Sequence, residues 1–192
     1  GSILQDHVSG TLPYAGEDID MVVWPENASD INPLNDPAIA NRLDRLVNQQ
    51  LNVPLIFGTI TSDNNDIYNS SLIWKPGQGI TDQYDKKRPV PFAEFVPDRD
   101  FWYPLAPDLI GLITRGYTFG TRDPIFEADS HRFGVLICFE IAVDEILETS
   151  GISKGSLYHH FEDLSELLEV AQVERYAAWV DRSVEALVSM LA

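Results

Sequence analysis

The sequence predicts an α/β fold followed by an all-helical tail. Apolar, β-branched runs closed by proline or glycine recur as far as Ile141, and a capped amphipathic helix stands between the first two of them. After Ala142 such runs cease and apolar residues recur at helical spacing to the end of the chain.

The first run, Ile19 to Trp24, is stopped by Pro25 and suits a buried strand. Asp36 and Pro37 then open a helix as a cap and a first-turn proline, with Ile39, Leu43 and Leu46 on one face. Val53 to Ile60 is a second buried strand. From Ile67 to Lys86 the pattern is a hairpin, with Pro76-Gly77-Gln78-Gly79 as the turn between Trp74 and Ile80. Lys87 to Thr121 is rich in proline and aromatic residues without a sustained period, a long excursion of the kind that carries function. "DPIFEAD" and "RFGVLICFEI" read as a strand pair turning near Ser130. The tail holds a short helix ended by Gly151, a second capped by Ser153, and a long third one from Leu164 to Leu191 with a single apolar stripe. The domain division expected is therefore 1–142 and 143–192.

The formal net charge of −17 disfavours non-specific attraction to phosphate backbones or anionic lipid, and both parts of the chain are acidic. The single cysteine, Cys138, excludes an internal disulfide. No apolar stretch reaches the length of a membrane span and no signal-peptide pattern follows Gly1-Ser2, so the chain as written is expected to be soluble and cytoplasmic. No cofactor is implied. His159 and His160 are adjacent and point to different helix faces, so no metal site is read.

Three residues at predicted strand ends make chemical sense together: Glu26, Lys86 and Cys138. Acyl transfer through a thiol needs a nucleophile, a base for its proton and a cation near the developing oxyanion. A carboxylate and an ammonium beside the thiol would promote attack, and alkylation faster than that of an ordinary thiol is expected.

At these residues the chain resembles the carbon-nitrogen hydrolase (nitrilase) superfamily. "VVWPENA", "NSSLIWKPGQGITDQYDKKRPVPFAEFVPDRDF", "YTFGTRDPIFE" and "GVLICFEI" are similar to the catalytic domain of the apolipoprotein N-acyltransferase family, over about residues 3–142. The resemblance implies part of an α-β-β-α sandwich. It also implies Glu26 as general base, Lys86 as transition-state stabiliser, Cys138 as nucleophile and Glu94 as a further glutamate near the lysine. Trp24, Phe139 and Glu140 would line the substrate site. The implied partners are a phospholipid acyl donor and the N-terminal amine of a lipoprotein, and the implied setting is the outer face of the inner membrane. Arg88 and Ala93 stand where that family usually has His and Gly.

"VDEILETSGISKGSLYHHFEDLSELLE" resembles the helix-turn-helix of TetR-family repressors, in which Ser153, Lys154, Ser156, Tyr158 and His159 would face DNA. The chain therefore reads as a chimera of two truncated modules. Its alternatives to acyl transfer are DNA binding, or an inactive fusion whose terminal helix packs on the sheet or mediates a homodimer.

Overall fold

The computed structural model describes residues 2–128 and 131–151. The predicted helices beyond Gly151, the expected DNA-facing side chains Ser153, Lys154, Ser156, Tyr158 and His159, and the terminal helix expected to dimerise lie outside the described residues.

A four-stranded sheet organises the described part. Its strands are β1 (Val22–Val23), β2 (Leu55–Asp63), β3 (Asp66–Lys75) and β4 (Gly79–Asp85), in the order β1-β2-β3-β4. β1 runs parallel to β2, and the other pairs are antiparallel. Strand alternation splits the apolar side chains between two faces. Leu55 and Phe57 of β2 and Leu72 and Trp74 of β3 point into one core, while Ile56 and Ile73 enter the other.

The first face is covered by α1 (Ser2–Thr11) and α2 (Pro37–Arg45). In α2, Asp36 caps the helix by accepting from the N–H of Ala38 at 2.9 Å and of Ile39 at 3.2 Å, and Pro37 needs no such partner. Ile39 and Leu43 are buried as the spacing predicts, and the helix continues as a π-helical turn, Leu46–Leu51, closed by Asn52 in the left-handed region. α1 was not legible in the sequence. Its weak helix formers Ser9 and Gly10 give little propensity, and its order comes from burying Leu4 and Val8 on the sheet. Thr11 accepts the Trp24 indole N–H at 2.9 Å, and His7 stacks on the same ring.

The second face is covered by a hairpin of β5 (Ile125–Ala128) and β6 (His131–Gly134), through Phe126, Ala128, Phe133, Val135 and Ile137. Two predicted strands are shorter than expected. The first contains only Val22–Val23, in register with Leu55 and Ile56; the Trp24 N–H still donates to the Ile56 carbonyl at 2.8 Å, and Pro25 then ends the run. The run through "GVLICFEI" stops pairing at Gly134, since β5 offers a partner only as far as Ile125. Val135 instead donates to the Pro124 carbonyl at 2.8 Å, and a 3₁₀ helix, Cys138–Ala142, begins at the cysteine. α3 (Arg99–Trp102) and α4 (Pro107–Ile110) are short turns within the long excursion. α5 (Asp144–Ser150) ends at Gly151 in the left-handed conformation, as predicted for the first tail helix.

The loop after β1 is pressed against Gly58. A Cβ there would lie 2.6 Å from Glu26 Cα and 2.7 Å from the Asn27 nitrogen. Gly58→Ala is therefore expected to destabilise the fold by about 1–3 kcal/mol, as overpacking does. A lower urea midpoint with unchanged slope would check it.

Candidate active site

The site forms where three sheet elements end. Glu26 stands just after β1, on a loop held to β2 by the Gly58 N–H donating to the Pro25 carbonyl at 3.2 Å and the Ser29 N–H donating to the Gly58 carbonyl at 3.1 Å. Lys86 follows β4. Its N–H donates to the Asn69 carbonyl at 2.8 Å, and its own carbonyl accepts from Gly120 at 2.9 Å, where the excursion returns. Glu94 sits in a turn of that excursion, its carboxylate accepting from the Val90 N–H at 2.7 Å.

The acids and the lysine meet below the surface. Lys86 is only 1% exposed, and its Nζ donates to both oxygens of Glu94, at 3.0 and 2.8 Å. Such burial is tolerable only for a paired charge, and removing one partner of a buried pair costs about 3–5 kcal/mol. Asn69 of β3 joins the second acid to this pair: its Nδ2 donates to Glu26 Oε1 at 2.6 Å and to Glu94 Oε1 at 3.2 Å.

Cys138 occupies a sharp turn between the extended Ile137 and the 3₁₀ helix, with φ of 55°. A non-glycine residue in the left-handed region carries strain that the surroundings must hold. Here the holding group is Glu140, which is fully buried. Its Oε2 accepts from the Ile137 N–H at 3.0 Å, and its Oε1 accepts from Tyr84 Oη at 2.8 Å and from the N–H groups of Lys87 and Arg88 at 2.7 and 3.2 Å. One carboxylate thus ties the cysteine turn to the segment that carries Lys86. Burial and the adjoining Glu140 charge push the Tyr84 phenol far above its usual range.

Of the residues expected at a substrate, Glu140 is placed as a buried strut. Trp24 is buried and borders a cavity of about 340 Å³ between the sheet and the segment Phe133–Ile137, which Glu26 and Asn69 also line. Phe139 is 41% exposed beside the cysteine. The sequence reading did not single out Asn69 or Tyr84. An asparagine within a strand was the available signal, since strands are poor in Asn, but Ser70 and Ser71 beside it make this strand polar there in any case.

The thiol differs from expectation. Cys138 is exposed as a residue, yet the atoms around its sulfur desolvate a thiolate, and this raises its pKa; the Glu26 charge raises it further. The Lys86 ammonium and the Phe139 N–H lower it, without reversing the direction. A carboxylate and an ammonium together are expected to promote attack, whereas burial and the Glu26 and Glu94 charges outweigh the Lys86 ammonium at the sulfur. The arrangement sets a thiol of raised pKa within the fields of a carboxylate and a paired ammonium.

A fold of this kind with Glu, Lys and Cys converging on one edge defines a class. The carbon-nitrogen hydrolase family model matches residues 4–153, and the chain belongs to that family. Within it, the chain is similar to apolipoprotein N-acyltransferases: 28% identical over 165 residues to that of Mycolicibacterium smegmatis, and 30% over 148 residues to that of Shewanella oneidensis. These alignments take in 78% and 69% of this chain but 27% and 28% of the relatives, so the chain spans just over a quarter of their length. Among solved structures, an amidase from Nesterenkonia sp. superposes with a TM-score of 0.55 at 9% identity, over 78% of this chain and 54% of the other. A glutamine-dependent NAD+ synthetase from Acinetobacter baumannii gives 0.51 at 22% identity, over 77% and 26%. These likenesses show the nitrilase-like α/β fold. Among the described residues, no helix is long and apolar enough to cross a membrane.

The pKa direction gives a test with a fixed sign. A raised thiol pKa leaves less thiolate at neutral pH, so the pH midpoint of Cys138 alkylation in the folded chain should lie above that of the urea-unfolded chain. Glu26→Gln removes an anion and should lower the folded midpoint. Alkylation followed by mass spectrometry across pH 6 to about 11, either side of the ordinary thiol range, measures both.

Proposed function

We propose that this chain carries a cysteine acyl-transfer site, and that the reaction served is N-acylation of a lipoprotein. The observation that carries the reading is the continuous contact Glu26–Asn69–Glu94–Lys86 beside the strained Cys138 turn, with the Glu26 and Lys86 charges both acting on the thiol. The similarity to several apolipoprotein N-acyltransferases supports the finer assignment.

The raised thiol pKa suits base-assisted attack. Glu26 takes the Cys138 proton as the sulfur bonds to an ester carbonyl of a phospholipid, and the carbonyl electron pair moves onto oxygen in the field of Lys86. Collapse breaks the bond to the glycerol oxygen, which receives the proton from Glu26 and leaves as the lysophospholipid alcohol. In the second half the α-amine of a diacylglyceryl-cysteine attacks the thioester and gives its proton to Glu26. The carbon–sulfur bond breaks, and the proton returns to sulfur. Glu94 holds Lys86 in place, Glu140 holds the cysteine turn, and Trp24 and Phe139 border the acyl group.

The test is intact-mass analysis after exposure to p-nitrophenyl butyrate and, separately, to phospholipid vesicles. An acyl adduct on Cys138, released by neutral hydroxylamine and absent in Cys138→Ala, is expected. Glu26→Gln should slow its formation about a hundredfold, the usual size of a general-base contribution. Transfer from the phospholipid adduct to a diacylglyceryl-cysteine peptide tests the finer assignment. A folded chain that forms no adduct even with the activated ester overturns the reading.

A further inference from the structure

Resting on that reading, we propose that Asn69 is a positioning residue: it holds Glu26 in place as the base and couples it mechanically to the Lys86–Glu94 pair. Three observations converge on this one side chain. Asn69 is 1% exposed, and it lies at the centre of the sheet, between β2 and β4. Its carbonyl fixes the main chain of Lys86 at 2.8 Å, so the residue touches the lysine through its backbone and both acids through its amide. The orientation of the amide is chemically forced, because only the nitrogen can donate to carboxylates; the flipped form would set oxygen against two anions. Its Oδ1 has no hydrogen-bond partner among the described residues. The contacts to the acids, and not a full set of its own bonds, therefore decide how the side chain points.

The consequence is geometric. Glu26 sits on a loop after a strand only two residues long, and the main-chain bonds that tie this loop to β2 place its backbone but not its carboxylate. The 2.6 Å bond to Asn69 ties the carboxylate to the rigid centre of the sheet, and charge-assisted bonds of this length are the strong ones. The longer bond, 3.2 Å to Glu94, makes the same amide a spacer between two acids that would otherwise repel one another directly.

The experiment is a double-mutant cycle on the burst of p-nitrophenolate released as the full chain is acylated by p-nitrophenyl butyrate. Asn69→Leu is expected to slow acylation about tenfold or more, the effect of losing a hydrogen bond to a charged group. Because Asn69 acts through Glu26, the Asn69→Leu, Glu26→Gln double variant should be no slower than Glu26→Gln alone, within about twofold. A purely structural role would instead add its loss to that of Glu26→Gln, and additive losses or a parental rate for Asn69→Leu overturn the proposal. If Glu26→Gln itself acylates at the parental rate, the base reading falls, and the positioning role falls with it. Should Asn69→Leu fail to fold, the side-chain amide protons of Asn69 carry the test by nitrogen-15 NMR. Glu26→Gln and Glu94→Gln should each move an amide proton upfield as a charged acceptor becomes neutral, and signals unmoved by both overturn the proposal.

Discussion

The ammonium of Lys86 and the carboxylate of Glu94 meet at 2.8 Å with the lysine 1% exposed, and the surrounding architecture is arranged to make that burial tolerable. Two charges taken out of water are stable only when their geometry is close and their remaining groups are satisfied. The first condition is met by both Glu94 oxygens accepting from Nζ, and the second by the Val90 N–H and the Asn69 amide. The pair joins the end of β4 to a turn eight residues on, so the path of the excursion is set at the site.

A second buried carboxylate does for the cysteine what Glu94 does for the lysine. Glu140 binds the N–H groups of Ile137, Lys87 and Arg88 and the Tyr84 hydroxyl. These bonds offset the strain of Cys138 at a positive φ and fix it relative to the strand end bearing Lys86. Each of the two acids thus serves main-chain groups as well as a neighbouring side chain. Burial of the sulfur first, and then the Glu26 charge with a smaller share from Glu94, raise the Cys138 pKa against the lowering effect of Lys86.

Much of the fold was legible in the sequence because its signals are local. The Asp36-Pro37 cap, the Pro76–Gly79 turn and Gly151 each act within a few residues, and the helix and hairpin they bound are where the spacing placed them. α1 and the short strands were not, because a helix of low propensity and a strand without a partner are decided by what packs on them. Glu26, Lys86 and Cys138 were legible as chemistry by residue type and order. Asn69 was not, since a lone asparagine in a strand has no meaning until the acids on either side of it are located.

The sequence by itself determined the family, the alternation that gives the sheet two apolar faces, and the residue types able to carry acyl transfer. Only the tertiary structure decided which charges are paired, that Glu140 is a strut, and that the thiol is raised and not lowered. The physical reason is range. Caps, turns and strand alternation depend on neighbours along the chain, whereas the protonation of Cys138 depends on the sum of charges and burial contributed by residues distant in sequence.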